Sequence, residues 1–252
     1  MSSEKSGVTF LGIGNPLLDI SAVVPQEVLT KYDVQVNNAI LAEEKHLPLY
    51  QELVDEHEVQ FIAGGATQNS VRVAQWMSGT PGLTGFMGAI GKDDAFGKQL
   101  KTCAVEDGVD VHYFEDEDTP TGTCAVLVLE GERSLVANLS AANKFPVEHM
   151  ATAKATELLE SAQFYYIAGF FLTVSVESIV LAGEKAVADG KVLAMNLSAP
   201  FVVQFFGDQL TAAVKYCDYV FGNESEAEAL GEKNGWGKED LPAIALKLAG
   251  EV

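Results

Sequence analysis

The sequence predicts an α/β protein built on a mostly parallel sheet flanked by helices. Three observations point there. Apolar runs are short and regularly spaced, glycine is plentiful at 23 residues, and from residue 147 onward helix and strand patterns alternate. Such alternation marks parallel strands joined by right-handed crossovers. At 252 residues and 48% hydrophobic, the chain is long enough to bury one large core or two small ones.

Taken in order, the first predicted strand is Val8 to Ile13, running into GNPLLDIS. Gly12-Ile-Gly14 is not a dinucleotide fingerprint, because Leu17 stands at the third glycine position and no acid closes a second strand about 20 residues on. Asn15-Pro16 reads instead as a turn. Asp19 follows among Leu17, Leu18 and Ile20, where an acid needs a partner. A ligand hydroxyl or a turn N–H would serve. ISAVV and NNAILAE, within residues 20 to 43, read as short antiparallel strands outside the parallel sheet, and His46 to Glu58 as a polar helix.

The stretch FIAGGATQNSVRVAQW comes next. Val59 to Ala63 reads as a buried strand, Gly64 and Gly65 break it, and Thr67, Asn69 or Ser70 opens a helix carrying Val71, Val73, Ala74 and Trp76. Two glycines at a strand-to-helix turn either tighten the turn or let a ligand approach the backbone near the positive end of the helix. Leu83 to Ile90 is a further strand, turned by Gly91, with Asp93 or Asp94 capping the next helix. Val111 to Glu115 follows, and then a hairpin of Thr123 to Glu130 and Arg133 to Leu139, turning at Gly131-Glu132. The later strands are Phe164 to Ala168, Val192 to Asn196 and Tyr219 to Phe221.

In open α/β sheets ligands gather at the carboxyl ends of the strands. Asn15, Gly64, Gly65, Phe171, Asn196 and Asn223 all fall at such predicted ends. Asn223-Glu-Ser-Glu226 matches a capping box, and its amide and carboxylate also suit Mg²⁺. The sequence has no Walker A loop, HExxH, CxxC or GxSxG, and its four histidines lack ligand spacing. A net charge of −20 argues against nucleic acid as a partner and leaves an anionic ligand to a few cations. There are two arginines, Arg72 and Arg133. No apolar run reaches the length of a membrane span, the N-terminus lacks a signal-peptide core, and three scattered cysteines suggest a reducing compartment. The expected location is the cytoplasm.

GNPLLDISAVV, AGGATQNSVRVAQWM, PTGTCAV, ERSLVANLSAAN, YYIAGFFLTVSVES, MNLSAPF and FGNESEAEAL together resemble the adenosine-specific branch of the ribokinase-like sugar and nucleoside kinases. The resemblance runs from about residue 10 onward and implies helices on both faces of the sheet and a small β lid, made of inserts at about 20–62 and 119–142. It implies ribose hydroxyls held by Asn15, Asp19, the Gly64-Gly65 turn and Asn69, and adenine among Leu17, Leu41, Cys124, Leu139 and Phe171. Arg133 would stabilise the transferred phosphate, with Asn196 and Asn223 near the nucleotide and Glu226 near Mg²⁺. The implied reaction is transfer of the ATP γ-phosphoryl group to the adenosine 5′-hydroxyl, by a monomer. The family's base is an aspartate in a late D-T-x-G-A-G-D segment, which these 252 residues do not contain. The expectation is therefore a C-terminally incomplete domain, 1–252, of little activity alone. Two alternatives stand beside it: a non-catalytic nucleoside-binding protein, and a ribokinase-like sugar kinase.

Overall fold

The computed structural model describes residues 7–250, so the first six and last two residues of the expected 1–252 domain lie outside the described residues. The chain runs through β1 (Phe10–Ile13), β2 (Leu17–Val23), α1 (Gln26–Lys31), β3 (Ala39–Leu41), α2 (Leu47–Glu56) and β4 (Val59–Gly64). It continues with α3 (Ala66–Ser78), β5 (Thr84–Gly91), α4 (Ala95–Glu106), β6 (Asp110–Asp116), β7 (Thr123–Leu129) and β8 (Glu132–Asn138). The second half holds α5 (Ala153–Ser161), β9 (Phe164–Ala168), α6 (Val176–Asp189), β10 (Val192–Asn196), α7 (Pro200–Phe205) and α8 (Gly207–Val214). It ends in β11 (Tyr219–Phe221), α9 (Glu224–Lys233) and α10 (Leu241–Ala249).

Six strands form the main sheet in the order β11-β10-β9-β1-β5-β6, and every pairing in it is parallel. The interior strand β5, between β1 and β6, is buried along its whole length, as expected where both faces are covered. Helix starts follow local chemistry: Asp94, Thr152 and Ser175 cap α4, α5 and α6 through side-chain oxygens. One core lies between this sheet and α5 to α9 and includes Leu11, Ile13, Tyr165, Ile167, Leu193 and Met195. A second joins the opposite face, through Phe86 and Ile90, to Leu18, Ile20, Leu49, Leu53, Leu100 and Leu127. No helix among the described residues is long and apolar enough to cross a membrane.

The smaller sheet has the order β3-β8-β7-β2-β4 and is mixed, which corrects the expectation of antiparallel strands alone. β2 and β4 pair antiparallel, as do β7 and β8, but β2 lies parallel to β7 and β3 parallel to β8. The long excursion through the main sheet between β2 and β7 supplies the crossover that parallel pairing needs. β4 belongs to this smaller sheet, so Gly64 and Gly65 do not end a parallel strand. The hairpin turns at Glu130 and Gly131, one residue earlier than expected. Both have positive φ, 51° and 89°, as a two-residue primed turn requires, and Glu132 pairs with Leu129.

His112 and His149 stack at the β6 edge with ring centroids 4.3 Å apart, beside Phe114 and Phe145. His112 Nε2 lies 2.9 Å from Thr152 Oγ1, and His149 Nε2 lies 3.3 Å from the His112 carbonyl. Burial lowers both pKa values, and for His112 the neighbouring ring lowers it further. A histidine harder to protonate folded than unfolded stabilises the fold above its unfolded pKa, and that stability falls as pH drops through about 6.5 toward the folded value. His149→Phe keeps the ring packing and removes one titration. Thermal melts at pH 7.5 and 5.5 should show the wild type losing more melting temperature on acidification than the variant; equal losses would refute the pair's role.

Candidate functional site

Antiparallel pairing sets Leu17 opposite Gly64 and Asp19 opposite Ile62. A Cβ on Gly64 would sit 2.3 Å from the Asp19 carboxylate, and one on Gly65, at φ 96°, would sit 2.1 Å from the Asn15 carbonyl oxygen. The diglycine therefore makes room for one side chain, Asp19, and one main-chain carbonyl, Asn15, of the protein itself. Burial raises the Asp19 pKa from its ordinary value to about 6, and Arg72 opposes the rise. No hydrogen-bond donor among the described residues reaches that carboxylate. Asn15 Nδ2 donates to the Ala142 carbonyl at 3.1 Å and to Asn143 Oδ1 at 3.3 Å, tying the end of β1 to the segment after β8.

Strand alternation sends Leu18 and Ile20 into the second core and leaves Leu17 and Asp19 on the other face. There Leu17 packs with Cys124, Val126 and Ala142, bordered by Leu135, Ala137 and Leu139. Burial pushes the Cys124 thiol up to about 12, helped by the negative charge of Asp19, its register partner. Leu41 lies beside Ala137 and is 63% exposed. Arg133 is exposed near the hairpin turn, opposite Val128. It shares the face of Leu135 and Ala137 but stands four residues from Ala137, roughly 13 Å along the strand. Phe171 is not at the surface: its ring is fully buried against Phe145, 5.5 Å between centroids, while Phe170 remains partly exposed.

A second group lies at the ends of β10 and β11. Asn196 Oδ1 accepts from the Gly169 N–H at 3.0 Å and from Ser198 Oγ at 2.8 Å, and Ser198 Oγ accepts from the Phe170 N–H. Thr67 Oγ1 accepts from the Ala168 N–H at 3.0 Å. One hydrogen-bonded line thus crosses from α3 over β9 to β10. Asn223 and Glu226 form the capping box, Asn223 Oδ1 taking the Glu226 N–H at 2.9 Å and Glu226 Oε2 the Asn223 N–H at 3.0 Å. Among the described residues no group of three or more His, Cys, Asp or Glu is placed to hold a metal.

Residues 27–251 match the pfkB family carbohydrate kinase model. Adenosine kinase 1 of Arabidopsis thaliana is 57% identical over 248 residues, covering 98% of this chain and 72% of that protein. The chain belongs to the adenosine kinase branch of the pfkB family. Solved relatives agree. Anopheles gambiae adenosine kinase, in complex with P1,P4-di(adenosine-5) tetraphosphate, is 49% identical with a TM-score of 0.83, covering 96% of this chain and 72% of that one. Schistosoma mansoni adenosine kinase, in complex with adenosine, is 36% identical with a TM-score of 0.84, covering 95% of this chain and 69% of that one.

Sequence reasoning misses Thr67, Ser198 and Arg72 as members of this site. Ser198 has no local signal beyond its place after a strand end, and Thr67 reads only as a helix opener. Arg72 does have one: it follows Asn69 by three residues, so the two share a helix face, and Nη1 donates to Asn69 Oδ1 at 3.3 Å. The clash at Gly64 is testable. Gly64→Ala should destabilise the protein by ~1–3 kcal/mol in denaturant melts, the range for overpacking a tight site. In an Asp19→Ala background the same change should cost measurably less, because the carboxylate it strikes is gone. An unchanged cost would mean the carboxylate is not what the glycine accommodates.

Proposed function

We propose that this chain is an adenosine kinase, with Asp19 anchoring the ribose hydroxyls and the apolar face of the small sheet covering the base. The observation that carries the reading is a largely buried carboxylate with no hydrogen-bond donor among the described residues, set between the diglycine turn and the Leu17–Cys124 cluster. Such a group is costly unless something completes it, and a vicinal diol offers two O–H donors. Asn15, Asn69 and the turn amides lie around the same end, with Leu17, Leu41, Cys124 and Leu139 as the apolar lining. Phe171, buried in the main core against Phe145, is left out of that lining. The small sheet would serve as a lid, its inserts at about 20–62 and 119–142 closing over the main sheet and carrying Arg133 toward the phosphates.

ATP is the co-substrate, with Asn196 and Asn223 beside its phosphates. Glu226 has one carboxylate oxygen left outside its cap, which suits a Mg²⁺ that keeps its waters and takes phosphate oxygens. When bound, that ion neutralises charge on the transferring phosphoryl group. We take the enzyme to be monomeric and cytoplasmic; that it acts on small molecules is supported by the adenosine and nucleotide complexes of the named relatives. The D-T-x-G-A-G-D segment expected to bear the base does not occur in the 252 residues. Binding, not turnover, is therefore the direct test. Calorimetry should show adenosine bound and free ribose bound far more weakly. Asp19→Ala should raise the adenosine dissociation constant at least ~tenfold, the size of a lost charge-assisted hydrogen bond, with little change in melting temperature. Unaltered affinity in a folded variant would remove Asp19 from the site.

A further inference from the structure

Arg72 stands beside this cluster, and the proposed nucleoside contacts leave it without a task. It lies on α3 two turns beyond the diglycine, three-quarters buried. Its Nη1 donates back to the Ala63 carbonyl at 3.1 Å and to Asn69 Oδ1 at 3.3 Å, while Nε pairs with the Asp107 carboxylate at the end of α4. Ala63 directly precedes Gly64, the residue pressed against the Asp19 carboxylate. One guanidinium thus ties α4, α3 and the penultimate carbonyl of β4 into a single unit, and that unit is the floor beneath Asp19.

We infer that Arg72 is a positioning residue of the nucleoside site: it pins the β4–α3 turn against Asp19 and supplies the positive field around that carboxylate, while Asp107 sets how much of that field remains. The inference rests on the reading of Asp19 as the ribose anchor. The planar, five-donor guanidinium suits three acceptors on three elements, which a lysine point charge serves less well. The surroundings agree. Burial drives the Asp19 acidity down, and Arg72 is the opposing influence. From β7, Cys124 faces Asp19 with its thiol held neutral by burial, and from β6 Tyr113 near Arg72 is likewise kept neutral. That leaves Arg72, partly neutralised by Asp107, as the charge facing Asp19 from the packed elements.

The test follows the Asp19 carboxyl signal by ¹³C NMR through a pH titration of the ligand-free chain, in wild type, Arg72→Gln, Arg72→Lys and Asp107→Asn. Arg72→Gln should move the Asp19 midpoint up, Asp107→Asn should move it down, and Arg72→Lys should stay between wild type and Arg72→Gln. Opposite movements cannot come from general loosening of the site. Midpoints that stay put, or that move the same way in Arg72→Gln and Asp107→Asn, overturn the inference. Should Arg72→Gln not fold, Asp107→Asn, at an exposed helix end, decides alone by whether its midpoint falls. Adenosine calorimetry at pH 7.5 and 6 then separates the two claims. At a pH below the midpoint, a tenfold change in the Asp19 acid constant should change affinity by up to ~tenfold. A wild type that ignores adenosine while the midpoints move as stated defeats the nucleoside reading and leaves the placement of Arg72 standing. A wild type that binds, with fixed midpoints, defeats the role of Arg72.

Discussion

The structure of the site depends on the antiparallel pairing of β2 with β4. That pairing sets Leu17 opposite Gly64 and brings the Asp19 carboxylate to the place a Gly64 Cβ would fill. Shifting the register by one residue would turn Asp19 into the apolar core and Leu18 out of it. The alternating faces of β2, with Leu18 and Ile20 inward, make that shift costly. β2 follows β1 directly, so the strand that carries Asp19 also takes the chain from the large sheet into the small one, with Leu18 and Ile20 packed into the core the two share.

Around that pairing the electrostatics are sparse. A chain with net charge −20, whose 16 lysines and arginines include two arginines, meets an anionic ligand with few local side-chain cations. Arg72 sits within the floor of the cluster and Arg133 at the far end of the hairpin, one for each part of the proposed site. The remainder falls to main-chain dipoles and N–H groups. The start of α3 has no side-chain cap, and the ends of β9 and β10 are knit together through Thr67, Asn196 and Ser198. Asp19 keeps a carboxyl poised near neutrality because its burial outweighs a cation already shared with Asp107.

The differences between sequence reading and structure have physical causes. The small sheet reads as antiparallel because its strands are short and alternating, yet two of its four pairings are parallel. Parallel partners come from distant parts of the chain, and no local pattern specifies them. The hairpin turn lies one residue earlier because positive φ at both loop positions selects Glu130-Gly131. Phe170 and Phe171 are identical in local preference, and the packing of Phe145 decides which ring is buried. The glycines at 64 and 65 were legible as a place of close approach, but what approaches them was not.

Legible in the sequence were the α/β class, the main-sheet strands β9, β10 and β11 to the residue, the capping box at Asn223, the α4 cap to within Asp93 or Asp94, and the family. All of these are local: periodicity, turn chemistry and motifs act within a few residues and survive in a linear reading. Only the folded chain shows that Asp19 has no hydrogen-bond donor among the described residues, that a Cβ at Gly64 would strike that carboxylate, and that Arg72 joins β4, α3 and α4. Each of these joins residues distant along the chain, and their energies depend on burial and on distances of a few ångströms, which only the folded packing sets.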